Sequence, residues 1–422
     1  MEFIVLAGGI GSRSLDPEIP KVLQSIAGEI RHIDLLIDTL TNRKETTKVT
    51  FLLGYKADAV ITYTEKKIAK LKNISVKYVV DTKEKLGTAG ALLNSLEEFD
   101  SENLICVLGD IATNIDFDHL ADTWLESGAD FFAVVHPTLH PEDSDIVNIE
   151  NGKIESISFK GEINLKPRSS NLGMAGIYGF KKSLLTQVLK TTKDISHDLI
   201  PALITRHTGL AINSSYYIKD LGTPRRLLDF RKDFTGSSFA NRGGKKRGAI
   251  FLDRDGTLFE DMPNGRLWLH EIDLDIAKSI ARANESGIPV FQVSNQPQVA
   301  KGFISEANVQ EIESRINMIL ANNNAFIDDF RHCPHYPIGG FPGEVGYLKK
   351  ACECRKPNIG MFLDLAKTHN LDLNKCILIG DSDFDQESAK NCAMSFIRGS
   401  FDGRVGMKTS IAIQDAIERI LE

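Results

Sequence analysis

The feature that most constrains this chain is a repeated one. Short apolar runs, each stopped by glycine or a polar residue, alternate with segments of helical period. The runs are FIVLAGG (3–9), KVTFLLGY (48–55), SVKYVVD (75–81), NLICVLGD (103–110) and DFFAVVH (130–136). Between them lie RHIDLLIDTL (31–40) and AGALLNSLEEF (89–99). Short apolar runs bounded by turn residues read as buried strands. Alternating with helices, they predict a mainly parallel sheet covered on both faces. The pattern lapses at DFTGSSFANRGGKKRG (233–248), which is rich in Gly, Ser and basic residues and has no period. It restarts with GAIFLD (248–253), IPVFQVSNQ (288–296) and KCILIGDSD (375–383). A chain of 422 residues exceeds what one ordinary core serves. The expectation is two α/β domains, residues 1–232 and 248–422, joined by a linker at 233–247.

Composition narrows the partners. The chain is 42% hydrophobic and 25% charged, as water-soluble globular proteins are. A net charge of −7 argues against nucleic acid as a partner, and GGKKRG (243–248) reads as a solvated linker. No apolar run reaches the roughly 20 residues a membrane span needs. The start, MEFIVLAGG, has no basic leader and ends its apolar run in glycines, so it reads as a first strand. The expected compartment is the cytoplasm, where disulfides are rare. Cys106, Cys376 and Cys392 then read as core residues.

The other three cysteines cluster. CPH supplies Cys333 and His335, and CEC supplies Cys352 and Cys354. One C-x-H and one C-x-C across a Gly/Pro-rich loop offer four soft ligands for tetrahedral Zn²⁺, a closed and structural site. Zinc there would rigidify the loop and aim Arg355 and Lys356, which follow Cys354 directly. His332 and His270 read as surface or core histidines.

Two groups of residues carry chemistry. In LAGGIGSR, Gly8, Gly9 and Gly11 let backbone N–H groups approach an anion, and Arg13 adds a permanent charge. Lys21 in IPKVL adds another, and Gly87 opens a second glycine turn, GTAG. Asp110 and Asp220 end apolar runs at the carboxyl edge of the expected sheet, where open α/β sheets bind ligands. Each alone could be a cap or turn residue. Together, facing a cationic glycine loop, they suit Mg²⁺ bridging a nucleoside triphosphate and a second phosphate.

In the second group, AIFL stops at Asp253, with Asp255 two residues on. A strand-end aspartate can attack phosphorus, and a neighbouring acid can protonate the leaving oxygen and then activate water. Ser294 in SNQ, Arg355 and Lys356 in CRKP, and Asp381 in GDSDFD, with Asp385 near it, complete a set for phosphoryl transfer.

LAGGIGSR, PKVL, LGTAGAL, LGD, AGIYGF and KDLGTP together resemble the sugar-1-phosphate nucleotidyltransferases over about residues 1–230. The resemblance implies a Rossmann-like domain with a mixed sheet. It implies attack of a sugar phosphate on the α-phosphorus of a triphosphate, with loss of pyrophosphate. Arg13 and Lys21 would stabilise the leaving group, Asp110 and Asp220 would hold Mg²⁺, and Gly8, Gly9, Gly11 and Gly87 would line the nucleotide pocket. Where the family often has a Glu-Lys pair, this chain reads SFKG. Lys160 could serve as the cation or be an exposed loop lysine.

Residues 248–400 resemble the haloacid dehalogenase-like phosphatases, which implies a doubly wound parallel sheet with, here, a zinc loop. Asp253 becomes the nucleophile and Asp255 the acid/base; both, with Asp381, become Mg²⁺ ligands. Ser294, Asn295 and Lys356 fall on the transferring phosphate. CPHYP, CECRKPNIGM and SNQ are similar to the D,D-heptose 1,7-bisphosphate phosphatases, and histidinol-phosphate phosphatases share the zinc loop. The N-terminal half most resembles the heptose 1-phosphate guanylyltransferases, which implies GTP and heptose phosphates as partners. Two alternatives stay open. The N-terminal half could be a regulatory sugar-nucleotide module, or the phosphatase could act on histidinol phosphate or another monophosphate.

Overall fold

The computed structural model describes residues 1–9, 16, 18–81, 86–141, 144–161, 171–260 and 272–422. Gly11, Arg13 and His270 lie outside them. The described chain divides into two compact units. One holds Met1–His136, Asp145–Lys160 and Gly173–Phe239; the other holds the remaining described residues, chiefly Ala240–Glu422.

The first unit is built on a mixed sheet of nine strands. Their order is 74–80, 47–53, 2–7, 103–108, 172–181, 131–137, 209–213, 153–158 and 146–150. The first four run parallel, and 172–181 joins them antiparallel. The far edge folds back because Asn151 and Gly152, both at positive φ, join two strands through a tight turn. Such a turn can connect only antiparallel neighbours. The parallel pattern read from the apolar runs holds for the first four strands, and the antiparallel ones make the sheet mixed, as the resemblance implies. Phe3, Phe51, Ile105, Phe117, Trp124 and Phe132 are fully or almost fully buried in one cluster. Each such side chain contributes about 1.5–3 kcal/mol of burial. A short antiparallel ribbon, Ile111–Thr113 with Ile218–Asp220, sets Asp220 opposite Ile111.

The second unit holds six parallel strands in the order 329–333, 290–295, 250–252, 377–380, 395–400 and 407–408. Counted along the chain this is third, second, first, fourth, fifth, sixth: a doubly wound sheet whose order reverses between 250–252 and 377–380. Ile250 and Leu252 pack into one core with helices Leu274–Glu285 and Thr409–Leu421. Phe251, between them, packs with helices Gly360–His369 and Asp383–Asn391 on the other face. Both faces are covered, which is why AIFL is apolar throughout.

The stretch expected to be structureless is partly ordered. Helix Pro224–Thr235 runs into it, and Ser238–Asn241 is helical. The basic run is solvated at Lys245 and Lys246 but not at Arg247. Arg247 is buried and donates to the Arg242 carbonyl at 2.6 Å and the His369 carbonyl at 2.9 Å. A planar guanidinium can satisfy several carbonyls at once, which lets it be buried where an ammonium would stay in water.

Candidate active sites

In the first unit, Lys21 and Asp110 meet directly. Lys21 Nζ donates to Asp110 Oδ2 at 2.6 Å, both side chains being part-exposed. The ribbon brings Asp220 alongside, since Leu221 N–H donates to the Asp110 carbonyl at 2.8 Å. Asp220 accepts from the Gly222 N–H at 2.5 Å and is paired with Arg226. A side chain on Gly222 would begin 2.7 Å from Asp220 Oδ1 and 3.2 Å from Lys21 Nζ, so the glycine keeps a cradle open between carboxylate and ammonium. His32 is buried beside this group, its Nε2 without a partner among the described residues. Burial lowers its pKa, so the imidazole is neutral. Asp110 and Asp220, with open space kept by Gly222, fit a divalent cation.

The glycines differ in what they are for. Gly8 packs against Gly54, where a side chain would begin 3.3 Å from the Gly54 nitrogen. Gly9 is exposed with open space around it, so packing does not require glycine there. Gly87 opens helix Gly87–Asn94 at φ +74, and a side chain would strike the Lys193 carbonyl. Lys160 lies exposed past strand Lys153–Ser158, its backbone N–H on Asp145 Oδ1 at 3.0 Å.

In the second unit the reversal of strand order gathers the phosphatase set. Asp253 leaves the strand Ile250–Leu252 and Asp381 leaves Ile377–Gly380, the two strands that flank the switch point. Lys356, 4% exposed, donates to Asp253 Oδ1 and to Asp385 Oδ1, each at 2.6 Å. Burial pushes the Asp253 carboxyl up to about 8, against the pull of the Lys356 ammonium and with the push of Asp385. Burial alone would lower the Lys356 pKa, but the two carboxylates hold it raised. Ligand oxygens of Asp253, Asp381 and Asp385 lie within 4.8 Å of one another. Gly256, at φ +82, lacks a side chain that would begin 2.3 Å from Asp381 Oδ2. Three clustered carboxylates, two of them sharing one ammonium, with that space kept clear, fit Mg²⁺.

Asp255, expected among the metal ligands, is turned elsewhere. Its oxygens accept from Arg254 Nε and Nη2 at 3.0 Å each and from Gln296 Nε2 at 2.7 Å. Asp385 stands in the group instead. Ser294 is buried and bonded by Gln296 at 2.5 Å. Asn295 clasps the Lys356 peptide, accepting from its N–H at 2.9 Å and donating to its carbonyl at 3.1 Å. Arg254 and Gln296 had no role assigned from the sequence, and Asp385 stood there only as a neighbour of Asp381. Asp385 was signalled by its place one helical turn after Asp381 and Gln296 by SNQ.

Cys333, His335, Cys352 and Cys354 converge with all ligand atoms within 4.8 Å. The sulfurs stand 3.1–3.5 Å apart, too far for a disulfide of about 2.05 Å. Hydrogen bonding from Cys333 pushes the Cys354 thiol down to about 5, while Cys333 is pushed up. Three cysteine sulfurs and an imidazole form a donor set that suits zinc. Cys106, Cys376 and Cys392 are buried and free.

Among the described residues no helix is long and apolar enough to cross a membrane. The nucleotidyl transferase family model matches residues 2–237, and the HAD-hydrolase-like model matches 353–398. The D-glycero-beta-D-manno-heptose-1,7-bisphosphate 7-phosphatase of Rhodopseudomonas palustris is 38% identical over 159 residues, 37% of this chain and 85% of that protein. The enzyme of the same name from Escherichia coli K12 is 32% identical over 146 residues, 33% of this chain and 72% of the relative. Among solved structures, HddC from Yersinia pseudotuberculosis aligns with TM-score 0.46 at 21% identity, over 55% of this chain and 99% of that one. The protein belongs to the nucleotidyl transferase family and, in the same chain, to the family of the D-glycero-beta-D-manno-heptose-1,7-bisphosphate 7-phosphatases.

Proposed function

We propose that this chain makes a nucleotide-activated heptose in two consecutive steps. Its phosphatase removes the 7-phosphate from D-glycero-D-manno-heptose 1,7-bisphosphate. Its nucleotidyltransferase then joins the heptose 1-phosphate to GMP from GTP and releases pyrophosphate. The observation that carries the reading is Lys356 held between Asp253 and Asp385 where the strand order reverses, in a chain 38% identical over 159 residues to a heptose bisphosphate phosphatase.

In the first step an Asp253 oxygen attacks the phosphorus and the sugar oxygen leaves, giving an aspartyl phosphate. Asp255 gives the leaving oxygen its proton and later takes one from the attacking water. Arg254 and Gln296 fix its carboxylate in place. The Ser294 hydroxyl and Lys356 ammonium face the oxygens of the transferring group. Mg²⁺ held by Asp253, Asp381 and Asp385 would neutralise charge there when bound.

In the second step the heptose 1-phosphate attacks the α-phosphorus in line with departing pyrophosphate. Lys21 and Arg13 stabilise the leaving group, and Gly8, Gly9, Gly11 and Gly87 line the nucleotide. Asp110 and Asp220 would hold Mg²⁺, which would supply positive charge to the phosphates. Cys333, His335, Cys352 and Cys354 would hold zinc through four protein ligands, in a structural rather than a catalytic role. The cytoplasm is the compartment this reading expects. The test is a matrix of nucleoside triphosphates against sugar 1-phosphates read by pyrophosphate release. No release from GTP with heptose 1-phosphate would refute the transferase reading.

A further inference from the structure

His32 is a polar residue buried where apolar ones would pack. It opens helix His32–Thr41, is 2% exposed, and is buried together with Ile33, Leu36 and Ile37 of the same helix. Its Nε2 has no hydrogen-bond partner among the described residues. A buried nitrogen left unmet is costly, so packing alone does not call for histidine here.

The backbone fixes where the ring stands. His32 N–H donates to the Gln24 carbonyl at 3.1 Å, and Arg31 Nη1 donates to the Leu23 carbonyl at 3.1 Å. The start of the helix is thereby stitched to the single turn Lys21–Leu23, which carries Lys21. Burial lowers the pKa of the ring; its hydrogen bond to the Ile111 backbone works the other way, as a bond donated to a carbonyl does. With Nε2 unpartnered, the donor is Nδ1, and Nε2 of the neutral ring carries the lone pair.

That lone pair has a neighbour with protons to give. His32, Lys21, Gln24, Asp110 and Thr223 line one cavity of about 10 Å³, the room of a single water. The Lys21 ammonium has three N–H groups, and among the described residues its one acceptor is Asp110 Oδ2, at 2.6 Å. An ammonium held at one point on a flexible four-carbon stem is poorly aimed. A water that accepts from Lys21 Nζ and donates to His32 Nε2 satisfies both groups at once.

We propose that His32 is a positioning residue for Lys21, acting through one water enclosed between its Nε2 and the ammonium, and that this second anchor aims the Lys21 charge at the departing pyrophosphate. This rests on the nucleotidyltransferase reading of the first unit and adds a residue to which the sequence assigned no part. His32 acts only through Lys21, which works on the leaving group. Its loss therefore weakens the transition state and leaves GTP binding alone.

The test uses the full-length enzyme with GTP and heptose 1-phosphate. His32→Leu removes the acceptor. Its kcat for pyrophosphate release is expected to fall about 10-fold, the worth of one hydrogen bond to a charge, with KM for GTP within about twofold of wild type. His32→Gln keeps an acceptor and should recover most of kcat. In Lys21→Met protein, which has no ammonium to aim, adding His32→Leu should cost less than about twofold more. Phosphate release from heptose 1,7-bisphosphate should not change in His32→Leu. A crystal structure of the wild-type enzyme should show an ordered water within about 3.2 Å of both His32 Nε2 and Lys21 Nζ. An unchanged kcat in His32→Leu, a loss confined to KM, a full further loss in the Lys21→Met background, or a wild-type crystal without that water overturns the inference. With wild type releasing pyrophosphate, those results leave the transferase reading standing. If wild type releases none from any triphosphate with any sugar 1-phosphate, the transferase reading fails and takes this inference with it.

Discussion

At the scale of single residues, the phosphatase turns on one ammonium shared by two buried carboxylates. Asp253→Asn keeps the shape of the side chain and loses the nucleophile. It is expected to abolish phosphate release while leaving pyrophosphate release from GTP and heptose 1-phosphate intact. Asp110→Asn removes the carboxylate facing Lys21 and should do the reverse. Separate assays of phosphate and pyrophosphate check both, and a folded variant that loses both activities refutes the separation. Gly256→Ala probes the same site sterically, since its new methyl would begin 2.3 Å from Asp381 Oδ2 at φ +82. Phosphatase kcat should fall at least about 100-fold, as misplaced catalytic groups cost. Bound zinc and pyrophosphate release should not change. The proposed nucleophile, Asp253, could be picked out because an acid that stops a buried apolar run is costly without a task. Arg254 and Gln296 were not, because what they do is set by contact with Asp255 and no spacing records that contact.

At the scale of elements, a strand buried on both faces writes its length into the sequence as an unbroken apolar run. That is why 250–252, 290–295 and 377–380 could be read directly. The far edge of the first sheet could not, because its strands are half exposed and leave no unbroken apolar run. The metal-type cluster was legible as C-x-H and C-x-C, since four soft ligands in pairs leave few other uses. Purified protein is expected to hold about one zinc per chain, and Cys352→Ser to lose it together with phosphatase activity. Elemental analysis finding no zinc in fully active protein would sink the assignment. A second element-scale contact ties strand Asp329–Cys333 to helix Gly360–His369. Asp329 pairs with Arg331 and with His369 Nε2, each at 2.9 Å. Burial alone would raise its carboxyl, but these partners hold it well below the usual range. A depressed carboxyl stabilises the fold fully above its ordinary range and loses that contribution as pH falls through its own. Stability should therefore decline below about pH 4, and Asp329→Asn should flatten the decline in urea midpoints taken down to about pH 3.

At the scale of the whole molecule, two phosphate chemistries on one chain make sense only if one leaves what the other needs. The transferase requires an anomeric phosphate as nucleophile, so the phosphatase must spare the 1-phosphate and take the other. The enzyme supplied with heptose 1,7-bisphosphate, GTP and Mg²⁺ is expected to release inorganic phosphate first, then pyrophosphate and GDP-heptose. The Asp253→Asn protein should make neither phosphate nor GDP-heptose from the bisphosphate, yet should convert added heptose 1-phosphate at the wild-type rate. Wild-type and Asp110→Asn mixtures should show the same early phase, because the first step does not use Asp110. Phosphorus NMR separates the anomeric signal from the 7-phosphate, so the order is read directly. Loss of the anomeric signal while the 7-phosphate persists would mean that the nucleophile acts on the opposite end of the substrate from the one assigned.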